Sequence, residues 1–140
     1  GNMTFHGQID GLLVEGNTVT QDASAPGGWL MSINQGYSTP EALRNVVVRG
    51  NTLINGGNTA ISANSAPGIV IEENIIINRQ GTNQTAISVG SYEYGPGDVA
   101  DGNAVVRNNR IVRANGSGGT PVVFVNAPGS QEYGNVVELE

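Results

Sequence analysis

Three acidic side chains, Glu93, Asp98 and Asp101, lie in a glycine- and proline-containing stretch that also holds Tyr92 and Tyr94. Paired carboxylates are the machinery of glycoside hydrolysis, set about 5 Å apart for retention and about 6.5–9.5 Å apart for inversion. Asp98 with Asp101, or Glu93 with Asp98, would supply such a pair; the competing reading is that both acids are simply solvated. Aromatic side chains accompany the acids. Trp29, Tyr37, Tyr92 and Tyr94 fall in loop-like sequence, whereas Phe5 and Phe124 fall in strand-like sequence. Aromatic faces stack on the C–H surfaces of sugars and carboxylates accept sugar hydroxyls, so this mixture suits a saccharide. The alternative is that the loop aromatics cover apolar surface of the protein itself.

Other chemistries are closed off by composition. The chain of 140 residues has no cysteine, which removes a disulfide framework, a thiolate metal site and a cysteine nucleophile. Its single histidine, His6, leaves no Cys/His zinc site, and a turn-capping role fits it better than catalysis. There is no lysine: six Arg face 12 acids for a net charge of −6, so nucleic acid is not an expected partner. No apolar run approaches the roughly 18 residues of a membrane-spanning helix, and no membrane partner is expected. No metal site or cofactor is expected either, with one exception: an acidic protein meeting a polyuronate needs a divalent cation such as calcium between them. Neutral or weakly charged glycans fit the charge better.

The elements that must position these residues come from a repeat. Residues 11–17, 45–51, 68–74 and 103–109 superimpose without gaps, each a run of alternating apolar residues ending in Asn17, Asn51, Asn74 or Asn109. Residues 134–138 read as the start of a fifth copy. A short strand follows each Asn, and a third class recurs at residues 3–6, 31–34, 61–64, 87–90 and 123–126. The ladder Asn residues are 34, 23 and 35 positions apart, which makes 23 the minimal unit and places insertions at 21–28 and 114–119, before the third strand, and at 35–44 and 91–102, after it. Three strands per unit with no room for a crossover helix predict an all-β, right-handed parallel β-helix of about four to five coils, since crossovers between parallel strands are right-handed. Residues 1–140 are expected to form one such domain, either a fragment of a longer chain or a protomer of an oligomer.

The coil pattern, apolar alternation closed by Gly-Asn and a further apolar strand, resembles the right-handed parallel β-helix proteins of the pectin-lyase-like group: polysaccharide lyases and hydrolases, uronan epimerases and phage tailspikes. The resemblance implies a module that recognises or processes polysaccharide, in an extracellular or virion-associated protein; the alternative is a non-catalytic scaffold for oligomerisation. The adjacent Asp-Asp, Gly-His-Gly and Arg-x-Lys signatures of the group's hydrolases are absent, as is any lysine for a calcium-dependent lyase.

Strand periodicity then assigns columns, because equivalent residues of successive coils stack about 4.8 Å apart. Leu12, Val46, Ile69 and Ala104, and Val14, Val48, Ile71 and Val106, face inward from the first strand. Met3, Met31, Ile61, Ile87 and Val123, and Phe5, Ile33, Ala63, Val89 and Val125, do so from the third. The four Asn stack as a structural ladder, since a buried amide without partners costs about 1–3 kcal/mol. Glu15, Arg49, Glu72, Arg107 and Glu138 form an outward column of alternating sign that fixes register. Beside it, Leu13, Val47, Val70 and Val105, with Ile54, Ile77 and Val112 from the second strand, make outward apolar stripes where polar residues are the rule. A partner subunit or further β-helix coils are the expected cover.

Overall fold

The computed structural model describes residues 3–25, 27–34, 40–114 and 116–140, and shows a right-handed parallel β-helix of five coils. Tyr37 and the rest of 35–39 lie outside the described residues. The first-strand sheet contains β2 (Gln8–Glu15), β5 (Ala42–Arg49), β8 (Val70–Glu72), β11 (Val105–Arg107) and β14 (Gln131–Tyr133). The second holds β3 (Thr18–Thr20), β6 (Thr52–Ile54), β9 (Ile75–Asn78), β12 (Arg110–Arg113) and β15 (Val136–Leu139). The third holds β1 (Met3–Phe5), β4 (Trp29–Ile33), β7 (Thr59–Ala63), β10 (Thr85–Gly90) and β13 (Val122–Val125). Every pairing is parallel and joins one coil to the next.

The chain bends where its residues tolerate positive φ. Gly11, Asn45, Gly68 and Asn103 stack in one column, with φ of 87°, 53°, 73° and 53°. Gly16, Gly50, Glu73, Asn108 and Gly134 stack in another, immediately before the ladder amides. Left-handed backbone clashes with a Cβ, so both columns draw on glycine and asparagine; Glu73, at φ 57°, is the departure. Between the bends, inward columns close-pack: Val48, Ile71 and Val106 of the first sheet, Leu53, Ile76 and Ile111 of the second, and Met31, Ile61 and Ile87 of the third are all inaccessible to solvent. Each such aliphatic side chain contributes about 1.5–3 kcal/mol by leaving water.

The last coil departs from the sequence expectation twice. Residues 134–138 do not begin a first strand. Gln131–Tyr133 pairs with Val105–Arg107, while Val136–Leu139 belongs to the second sheet. The reason is Asn135, whose side-chain oxygen accepts from Asn109 N–H at 3.0 Å and from Asn109 Nδ2 at 2.9 Å, extending the ladder by one rung. Glu138 therefore leaves the charge column, and Tyr133 takes its place opposite Arg107. In the third sheet, Val122 and Phe124, rather than Val123 and Val125, align with the inward Ile87 and Val89 and pack on the core. A one-residue shift exchanges the faces of a strand, and here it brings Phe124 inside. Gly90 permits the fit, because a Cβ there would lie 1.7 Å from the Val125 carbonyl oxygen. The strands β2 and β5 also begin earlier than their repeats, so 42–44 are strand rather than loop.

The ladder itself is as expected. Asn51 Nδ2 donates to Asn74 Oδ1 at 3.0 Å, and Asn74 Nδ2 to Asn109 Oδ1 at 2.9 Å; the same oxygens accept the backbone N–H of the preceding rung. Asn51, Asn74 and Asn109 are buried, and Asn17 at the first rung is half-buried.

Candidate functional site

Outside the core, the third sheet and the loop that follows β10 enclose an open cavity of about 600 Å³. Its lining runs from the third-strand column outward. Ser32 and Ser62, paired in register, and Asn34 and Asn64 at the ends of β4 and β7 contribute hydroxyls and amides. Asn34 Nδ2 donates to Asn64 Oδ1 at 2.6 Å, which orients the two amides together. Trp29, half-exposed at the start of β4 rather than in a loop, lines one part, and Ser91, Glu93, Tyr94, Gly95 and Asp98 line another.

The 91–102 loop is locked by its own acids. Asp98 accepts Gly95 N–H at 2.8 Å through one oxygen and Glu41 N–H at 2.8 Å through the other, tying this loop to the chain one insertion earlier. Asp101 is buried and caps the next turn, accepting Ser65 N–H at 3.0 Å and Ala66 N–H at 2.9 Å. Tyr94 donates its hydroxyl to the same carboxylate. Burial, and then that hydrogen bond, push the Tyr94 phenol up to about 12 from 10.0. Ser91 Oγ donates to Glu93 O at 2.6 Å, closing the start of the loop.

The sequence-derived candidates therefore divide. Trp29, Tyr94, Glu93 and Asp98 come together around one cavity. Asp101 is outside the lining, its carboxylate held by the Ser65 and Ala66 N–H groups and the Tyr94 hydroxyl. Tyr92 is 85% exposed and stands outside the lining; Tyr37 lies outside the described residues. Glu41, in the 35–44 insertion, is fully buried and accepts the Gly7 N–H. The floor was overlooked in the sequence, although its signal is present: the third-strand quartets at 31–34, 61–64 and 87–90 each carry serine at their second position between apolar neighbours.

The electrostatics of the cavity are one-sided. Glu93 and Asp98 line it, and no arginine does. Arg49 and Arg107 are engaged elsewhere, with Glu15 at 2.8 Å and Glu72 at 2.7 Å. Tyr133, and then Glu72, hold the Arg107 guanidinium above its ordinary range, and Glu15 does the same for Arg49. Among the described residues, no group of three or more His, Cys, Asp or Glu side chains is placed to hold a metal ion. No protein-family model, curated protein or solved structure matches this chain.

Proposed function

We propose that the chain is a polysaccharide-recognition module of the pectin-lyase-like kind, and that the cavity on the third sheet is where a segment of glycan lies. The observation that carries the reading is the meeting of Trp29 and Tyr94 with a floor of serine hydroxyls and paired asparagine amides in one open cavity. Aromatic faces take the C–H side of a pyranose, and hydroxyls and amides exchange hydrogen bonds with its rim. An open cavity between a flat sheet and a loop accommodates the middle of a polymer as readily as its end. The two carboxylates at the cavity, without a cation beside them, favour neutral or amino-bearing glycans and repel uronates and sulfated sugars.

Recognition is favoured over hydrolysis by the use already made of the acids. Both oxygens of Asp98 hold backbone N–H groups of its own fold, and those of Asp101 hold the Ser65 and Ala66 N–H groups. A hydrolase needs two carboxylates presented to substrate, one of them protonated; Glu93 alone is not committed in this way. The resemblance to secreted and phage-borne β-helices supports an extracellular or virion-associated setting.

The test is binding to a panel of neutral, amino-bearing and acidic polysaccharides, with and without calcium, while new reducing ends and unsaturated products are followed. Retention by neutral or amino-bearing glycans without product, and at least tenfold weaker binding by Trp29→Ala, are expected. Tyr92→Ala should bind within about twofold of the parent, since Tyr92 stands outside the cavity. Absence of binding to every glycan sinks the reading, and product release abolished by Glu93→Gln replaces it with an enzymatic one.

A further inference from the structure

The outer face of the first sheet carries an apolar stripe that none of the described residues covers fully. Leu13 is 53% exposed, and Val47, Val70 and Val105 beside it in register are half-buried. Two charged columns flank the stripe. On one side stand Glu15, Arg49, Glu72 and Arg107, alternating in sign over four coils. On the other, beyond the bend at Gly11 and Asn45, Asp10 and Arg44 stand in register in the first two coils, and the next two coils offer Pro67 and Gly102.

We infer that this face is a self-association surface, on which a second copy of the chain packs with its helix axis antiparallel. A contact between two identical faces has a two-fold axis lying in the contact plane. Only two orientations keep the stripes superimposed. With the axis along the helix, the copies run parallel and the flanking columns exchange sides: Glu15 meets Asp10 of the second copy, and Arg49 meets Arg44, like charge against like. With the axis across the helix, each column faces itself reversed. Glu15 then meets Arg107 of the second copy, Arg49 meets Glu72, and the relation is reciprocal at all four coils. The apolar stripe aligns Leu13 with Val105 and Val47 with Val70 in the same arrangement. Charge alternation along a β-helix fixes register within one chain, and here the even number of alternating coils makes it complementary to its own reverse. Glu15, Arg49 and Arg107 keep side chains 50%, 43% and 37% exposed, while Glu72 is 15% exposed, so the outer Glu15–Arg107 contacts are the more open ones. Opposite charges across the contact set orientation, and the apolar stripe supplies the burial.

Sedimentation of the 140-residue chain is expected to show a reversible dimer, and Val70→Asp a folded monomer with the parent's circular dichroism. Orientation is read from cysteine pairs, which meet no native thiol. Positions 13 and 105 of one chain lie three coils apart, roughly 14 Å, beyond disulfide reach. A mixture of Leu13→Cys and Val105→Cys chains should therefore cross-link between unlike copies, with neither variant cross-linking to itself. Self-cross-linking of Leu13→Cys would show a parallel pair and overturn the proposal. A parent chain that stays monomeric to millimolar concentration, as when a further segment of polypeptide covers this face, overturns it too, as does a trimer.

Discussion

An interior rung of the asparagine ladder makes four hydrogen bonds with one side chain, as Asn74 and Asn109 do, whereas Asn17 at the first rung makes two. Asn74 accepts from Asn51 twice, and its own amide reaches Val48 O at 3.1 Å and Asn109 Oδ1 at 2.9 Å. Alanine there leaves a buried N–H and a buried carbonyl unpaired and opens a cavity. Each orphaned group costs about 1–3 kcal/mol, so Asn74→Ala should lose roughly 3–5 kcal/mol in urea unfolding. Asn17 makes the same bond to Asn51, yet it is half-buried with water able to replace the lost partner. Asn17→Ala should lose only about 1 kcal/mol. Equal losses at the two positions would mean that the ladder acts through turn conformation rather than through burial. These residues were legible in the sequence because the repeat displays them at constant register; Asn135 was read instead as part of a first strand, although Gly134-Asn135 repeats Gly16-Asn17 and Gly50-Asn51. It escapes the gapless alignment because residues 134–138 also match the start of the unit, and only the strand 131–133, whose Gln-Glu-Tyr lacks an apolar signature, decides between the two.

Strands announce themselves by alternation, whereas loops reveal only which residues are present. The 91–102 loop shows what is lost between the two. Its acids and tyrosines were evident as a cluster, but their division into cavity lining and loop lock depends on backbone N–H groups at Gly95, Glu41, Ser65 and Ala66, which are far apart in sequence and carry no side-chain signal. The lock has a pH signature. Tyr94 keeps its proton to about 12 in the folded chain, against 10.0 for an ordinary tyrosine, so unfolding releases a proton between those values. A raised folded pKa gives a contribution that is complete below pH 10 and is lost as pH rises through 12. The stability difference between the parent and Tyr94→Phe, followed by chemical unfolding, should accordingly be flat from neutral pH to pH 10 and shrink above it. A difference that persists unchanged at high pH would show that the phenol proton contributes nothing. Because Tyr94 also lines the cavity, the phenylalanine variant should lose loop stability while keeping an aromatic face for the ligand.

At the scale of the molecule, a β-helix is a stack in which each coil touches only its neighbours, so stability is distributed along the axis rather than gathered in one centre. Burial in this chain follows that rule. Inward residues of the second to fourth coils, among them Leu53, Ile71, Ile76, Val106 and Ile111, are closed to solvent. In the fifth coil, Val137 occupies the same inward column as Ile76 and Ile111 yet is 44% exposed, and in the first, Leu12 is half-buried. Local opening is governed by how much apolar surface a segment gives up to water. Native-state hydrogen exchange should therefore rank the coils, with amides of β5, β8 and β11 and their second-sheet neighbours β6, β9 and β12 the slowest, and those of β1 and β15 the fastest. The third sheet is informative about the site. The β4 and β7 amides that support the cavity floor belong to the slow class, because Met31, Ile33, Ile61 and Ala63 behind them are fully buried. The ligand surface proposed above is thereby mounted on some of the most rigid backbone in the chain, and a glycan bound there should slow exchange in the 91–98 loop far more than in β4 or β7. Protection appearing instead in the sheet, with the loop unchanged, would place the ligand elsewhere.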